Sequence, residues 1–232
     1  MITVYTITYN EELLIQFMID HYRTRFPGCR IVVNDNMSSD DTVKIALANG
    51  CEVVPYDTNN QLQDSRYIKI KNNCWKDAKT DWVLVCDLDE LLDINAGELK
   101  AEEKSGTSII KTKGYNMVTL NSSLDIAGMK YGQRDEGEDK SCLFNKKFIS
   151  EINYSIGAHA CFPTGTVIHS KKTYKLFHYC YINYTLTVEK YRVYAKRVSS
   201  ENVENHWGYW ALSPKEIRTL YTEAWNKAIK VR

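Results

Sequence analysis

In the first part of the chain, short apolar runs alternate with segments whose apolar residues recur at helical spacing. Residues 1–8 carry Ile2, Val4 and Ile7 and read as a strand; Leu13, Leu14, Phe17, Met18 and His21 then follow a helical stripe opened by Asn10, Glu11 and Glu12. Pro27 and Gly28 close that unit. Further on, the pattern predicts a strand at 30–34, a polar loop at 36–42, a helix over 43–48 stopped by Asn49-Gly50, a strand at 51–56, a loop over 57–66 and a helix over 67–78. The run Trp82-Val83-Leu84-Val85-Cys86 has no polar member and reads as a strand buried on both faces. Strands and helices alternating in this way predict an α/β fold with a mostly parallel central sheet and helices on both faces.

After Asp93 the pattern changes. An acidic helix is expected over 96–104, strands over 107–113, 141–144 and 173–181, and helices over 185–198 and 214–229. The polar, glycine-containing stretch 121–140 predicts a mobile flap or a solvated loop. A helix running from Glu216 to Arg232 would carry the chain to its last residue, as in one domain of a longer polypeptide.

The apolar run at 82–86 ends in Asp87-Leu88-Asp89-Glu90. Carboxylates are costly to desolvate, so they belong at the carboxyl end of the strand, in the crevice where open α/β sheets hold ligands. A spacing of two points Asp87 and Asp89 to one side of an extended segment, an arrangement suited to Mg²⁺ or Mn²⁺ and the phosphates that accompany it. The alternative is an acidic turn in which Asp89 or Glu90 caps the next helix. Glycine motifs of dinucleotide folds and P-loops are absent.

Composition narrows the class. A net charge of +1 gives no sign of a nucleic-acid groove. The seven cysteines (29, 51, 74, 86, 142, 161 and 180) are scattered, never in Cys-x-x-Cys, which argues against a disulfide framework and a structural zinc. There is no signal-like amino terminus and no apolar run long enough for a membrane span, so a cytoplasmic, reducing setting is expected and the sequons at 36, 121, 153 and 183 carry no weight.

Thr8-Tyr9-Asn10-Glu11, the set Asp35, Ser38, Asp40 and Thr42, and Asp87-Leu88-Asp89-Glu90 follow successive strands and so share one rim. These motifs, with 157–165, Leu176-Phe177-His178-Tyr179, 191–199 and Trp207-Gly208, resemble family 2-like glycosyltransferases of the GT-A fold, especially compact enzymes of bacteria and large algal viruses. The resemblance implies one domain over 1–232, with a nucleotide-binding half (1–95) abutting a donor-sugar and acceptor half (96–232). It implies a hexosyl- or deoxyhexosyltransferase that uses a UDP-sugar and Mn²⁺ or Mg²⁺ and acts on a glycan or glycoprotein acceptor.

By the same resemblance, Asp35 reads the uracil, and Thr8, Tyr9, Asn10 and Glu11 line the base and ribose. Lys71 and Asn72 lie near the nucleotide. Asp87 serves ribose and metal, and Asp89 and His178 are metal ligands. Glu138 and Asp139 are candidates for the catalytic base, and His159 for a donor-phosphate or acceptor contact. His21, on the apolar stripe, is structural. Lys190, Arg192, Lys196 and Arg197 either reach the diphosphate or form a solvated helix face, the latter for most of them. Trp207, Tyr209, Trp210, Tyr221 and Trp225 stack on an acceptor or pack the C-terminal helices. A sugar-1-phosphate nucleotidyltransferase and a non-catalytic nucleotide-sugar-binding domain are the alternatives.

Overall fold

The computed structural model describes residues 1–120, 124–208 and 212–232. In chain order its elements are β1 (Ile2–Thr8), α1 (Glu12–Arg25), β2 (Arg30–Asp35), α2 (Thr42–Ala48), β3 (Glu52–Pro55), α3 (Asp64–Asn73), β4 (Trp82–Asp87), β5 (Glu90–Asp93) and α4 (Ala96–Lys104). There follow β6 (Ile109–Val118), β7 (Tyr131–Arg134), β8 (Leu143–Asn145), β9 (Ile149–Glu151), β10 (Thr164–Gly165), β11 (His169–Tyr181), α5 (Tyr184–Arg197), α6 (Ser200–Glu204), α7 (Pro214–Asn226) and β12 (Ile229–Lys230).

The architecture is α/β, with a central sheet flanked by helices. Its order is β12-β7-β6-β8-β4-β1-β2-β3, with β11 pairing both β5 and β6. The block β3-β2-β1-β4 and the long β6–β11 ladder are parallel, so the sheet is mostly parallel; β5, β7, β8 and β12 pair antiparallel. Every residue of β1 is buried, because strand alternation serves two cores. Val4, Leu84 and Cys86 face Leu14, Ile15, Met18 and Tyr22 of α1, whereas Tyr5, Val83 and Val85 face Trp75, Phe144 and Ile152. The register sets Thr8 beside Asp35 and Ile7 beside Asp87, so the carboxyl ends of β1, β2 and β4 form one rim.

Several boundaries differ from the sequence-based expectation. Helix α3 begins and ends earlier, at Asp64 and Asn73. Its approach is stitched to the far end of the chain: Leu62 pairs with Val198, the Asp64 amide donates to Asn202 Oδ1, and Ser65 Oγ donates to Glu201 Oε2. Neither Asp89 nor Glu90 caps a helix, since α4 is capped by Asn95 in a reciprocal box with Glu98. Within the expected flap, residues 131–134 are strand β7, paired to β6, and Glu138 and Lys140 are buried. The chain does not end in a helix, because β12 returns to pair with β7. No helix among the described residues is long and apolar enough to cross a membrane, and the seven cysteines are free thiols.

His21 is buried as expected, with Nε2 2.9 Å from the Leu92 carbonyl. Burial, reinforced by Arg25, depresses its pKa to about 4. The unfolded chain therefore binds a proton between pH 6.5 and 4 that the folded chain refuses. The stability that neutral His21 contributes is present above pH 6.5 and is lost as pH falls towards 4, about 3 kcal/mol in all. Urea denaturation at pH 7 and pH 4.5 should show this loss, and His21→Gln should flatten it.

Candidate functional site

The rim at the ends of β1, β2 and β4 is built from two laced loops. The loop after β1 and the loop after β2 hold each other: the Asn10 amide donates to Ser38 Oγ, Asn10 Oδ1 accepts from the Ser39 amide, and the Glu11 amide donates to Thr42 Oγ1. Asp40 accepts from the Glu12 and Thr42 amides, and Asp35 Oδ2 accepts from the Ser38 amide. Polar side chains replace water at the first turns of α1 and α2, which fixes both loops without apolar packing. Asp35 Oδ1 and Thr8 Oγ1, side by side on the rim, are buried with no hydrogen-bond partner among the described residues; so is the hydroxyl of Tyr56, whose amide donates to the Asp35 carbonyl.

Asp87 ends β4. The chain then turns through Leu88 and Asp89 before β5 starts at Glu90, so the two aspartates do not lie on one extended segment as expected. Each meets a different cation. Asp87 takes the buried ammonium of Lys71 at 2.7 Å. Asp89 takes Lys190 at 3.0 Å, which also holds Glu11 at 2.6 Å, and faces His178 Nε2 at 3.6 Å. Glu90 turns inward to pair with Lys140, which also lies 3.0 Å from Glu138. His178 Nδ1 contacts Asn116 Oδ1 at 2.9 Å and lies 3.5 Å from Glu138. An alternating row of acids and bases thus runs across the top of the sheet.

The charges of this row are mutually imposed. Burial disfavours a charge on Lys190 and on Lys140, but Asp89 and Glu11 in one case, and Glu90 and Glu138 in the other, raise both well above the usual lysine range. Burial also opposes the charge on His178; Cys180, Glu138 and Asp89 outweigh it and push the imidazole well above its ordinary value. Against burial, Lys190 and His178 hold Asp89 well below the usual carboxylate range.

The positions singled out in the sequence fare unequally. Thr8, Tyr9, Asn10, Glu11, Asp35, Lys71, Asp87 and Asp89 lie on or beside the rim, and β11 brings His178 to it, because His178 registers with Glu90. Asn72 points elsewhere: its amide clamps both backbone groups of Tyr154. Asp139 is engaged by the Gly114 amide and by Arg134 at 2.5 Å, so it staples β6 to the turn after β7. Glu138 is held between Lys140 and His178, which keep its pKa below the ordinary range despite burial. A carboxylate so stabilised is a poor proton acceptor. His159 is exposed, with Nδ1 2.7 Å from the Gly137 carbonyl.

Lys190 and Arg197 are not part of a solvated face. Arg197 is 4% exposed, and its guanidinium carbon lies 3.2 Å from the centre of the Tyr9 ring. Arg192 and Lys196 are exposed as expected. Tyr221 packs between Tyr181 and Tyr184, and Trp225 against Tyr131, which favours the packing account for both; Tyr209 and Trp210 lie outside the described residues.

Asp87, Asp89 and His178 have donor atoms of the right kind for Mn²⁺ or Mg²⁺, but the arrangement does not fit a bound ion. No three potential ligands converge among the described residues, and both aspartates are neutralised by lysine.

The family model described as Glycosyl transferase family 2 matches residues 3–100, the segment from β1 through most of α4. The resemblance read from the sequence therefore holds over that segment. Comparison with curated proteins finds no match. Among solved structures, S. aureus TarS aligns over 97% of this chain and 43% of its own, at 16% identity and a TM-score of 0.46. TarS 1-349 in complex with UDP-GlcNAc aligns over 97% and 72%, at 17% identity and a TM-score of 0.45. Glucosyl-3-phosphoglycerate synthase from Mycobacterium tuberculosis, in complex with Mn²⁺, UDP-glucose and phosphoglyceric acid, aligns over 49% and 43%, at 22% identity and a TM-score of 0.35. The chain spans less than half the length of the full TarS chain.

The row of charges makes Lys140 its most sensitive member. Lys140→Met should leave Glu90 and Glu138 buried without their shared cation and destabilise the fold by about 3–5 kcal/mol. Chemical denaturation of the variant measures this. A loss under about 1 kcal/mol would mean that the two acids are neutralised in some other way.

Proposed function

We propose that this chain is a glycosyltransferase that moves a hexose or deoxyhexose from a UDP-sugar to a hydroxyl group of a glycan or glycoprotein acceptor. The observation that carries the proposal is the pair of unpartnered buried atoms, Thr8 Oγ1 and Asp35 Oδ1, on the strand-end rim of the segment matched by the family model. A buried polar atom without a partner costs about 1–3 kcal/mol, which a ligand that hydrogen-bonds it recovers. Uracil offers an imide N–H to the Asp35 carboxylate. From there a diphosphate would follow the rim towards Lys71 and Lys190. Lys71 and Lys190, each already paired with carboxylates, would turn a donor from those partners to the diphosphate and so stabilise the negative charge that grows there as the bond to the sugar breaks. The donor sugar and acceptor would then fall to the side of β6 and β11, near Asn116, His178 and His159. Glu138 and Asp139, both in ion pairs, are not proposed as the base.

UDP binding is the direct test. At 100 times its dissociation constant, UDP should stabilise the protein by about 2.7 kcal/mol, read as a rise in Tm that CMP and GDP do not give. Asp35→Ala should remove the rise while leaving the circular dichroism spectrum unchanged. No rise with any nucleotide would reject the proposal.

The lysines set against the aspartates yield a second expectation. UDP affinity in EDTA and in Mn²⁺ should agree within about threefold, because Lys190 and His178 already balance Asp89. A gain of tenfold or more with Mn²⁺ would show that Lys190 gives way to the ion and would restore the sequence-based assignment of Asp89 and His178 as its ligands.

A further inference from the structure

Arg197 is an unusual residue to find at the end of a helix. It is buried, its Nε donates to the carbonyl and side-chain oxygens of Asn60, and its guanidinium lies against the Tyr9 ring. Its Nη2 has no hydrogen-bond partner among the described residues. That atom does not stand alone. Thr8 Oγ1, Asp35 Oδ1 and the Tyr56 hydroxyl are also buried without a hydrogen-bond partner among the described residues. The four residues form one corner: Thr8 precedes Tyr9 and registers with Asp35, the Asp35 carbonyl accepts from the Tyr56 amide, and Arg197 lies on Tyr9. Buried polar groups are almost always paired, with protein, ordered water or a ligand, so a cluster of unpaired ones is a place where a ligand's polar edge can bind.

We infer that Arg197 completes the nucleoside pocket from the C-terminal half and selects for uracil, its Nη2 donating to a ring carbonyl while Asp35 Oδ1 accepts the imide N–H. The inference rests on the donor reading given above and adds to it a residue and a selectivity. Acceptor and donor together form a two-part code. Uracil presents N–H beside C=O and satisfies both. Cytosine presents a bare ring nitrogen to the carboxylate and, if the carbonyl read is the one at C4, an amino group to the guanidinium as well, so it loses at least the first contact. The stack on Tyr9 fixes the plane of the guanidinium, which a flexible ammonium cannot reproduce.

The test is isothermal titration of the whole chain with UDP, CDP, 2-thio-UDP and 4-thio-UDP, followed by Arg197→Lys and Arg197→Ala. The wild type should bind UDP at least about fiftyfold tighter than CDP, and one of the two thio analogues should lose about tenfold, because sulfur accepts a hydrogen bond poorly. Both variants should bind UDP at least about tenfold more weakly, with the margin over CDP narrowed. The thio analogues need no variant, so the inference stays open to refutation even if Arg197→Ala fails to fold. Equal affinity for UDP and both thio analogues would overturn it. So would a folded Arg197→Lys that binds UDP and CDP as the wild type does; UDP binding by the wild type would then leave the donor reading intact. A wild type that binds none of these nucleotides removes both.

Discussion

The upper edge of the sheet depends on one buried ammonium. Lys140 sits between Glu90 and Glu138, each almost fully enclosed, and its charge offsets the cost of burying them: with His178 it holds the Glu138 carboxyl low, while burial still raises that of Glu90. Through Glu138 this arrangement reaches His178, through His178 it reaches Asp89, and through Lys190 it reaches Glu11. Each member is costly to bury alone and tolerable only between partners of opposite sign. The positions of β5, β11 and α5 at the rim are in this sense one electrostatic solution.

That solution needs close approach of the backbone. Gly114 lies in the middle of β6, where an added Cβ would come within 2.3 Å of Glu138 Cβ. The absence of a side chain there lets the turn after β7 press Glu138 inward against the sheet, beneath His178. Meanwhile the loops after β1 and β2 are locked by their own hydroxyl and amide groups, so they reach the same rim without help from the core.

Much of this was legible in the sequence, for identifiable reasons. β4 is apolar from Trp82 to Cys86, β2 from Ile31 to Val33, β1 carries Ile2, Val4 and Ile7, and α1 keeps its stripe, so local pattern and buried environment agree. Asp35, Asp87 and Asp89 follow such runs, and the need to keep carboxylates near water is enough to put them at strand ends. Residues 131–140 misled because composition reports polarity and cannot report pairing: the same charges that suggest a solvated loop become buried once each finds its opposite. The turn at Leu88–Asp89 likewise lies below the reach of a strand's two-residue alternation. Two signals were available and unused. A glycine inside a strand marks a close approach, which applies to Gly114. Thr187, Lys190, Tyr194 and Arg197 fall on one helical face, whereas the exposed Arg192 and Lys196 lie off it.

The pairing of Leu62 with Val198, with Asn202 and Glu201 beyond it, joins the loop before α3 to the end of α5 across most of the chain's length. The segment that the family model matches ends at residue 100, yet the hydrogen-bonded contacts that hold it run well beyond. Homologous recombination that exchanged the first hundred residues for those of a relative would separate two halves of one seam. Residues 57–65 and 197–202 are therefore two sides of one seam, and a substitution on one side limits what the other can accept.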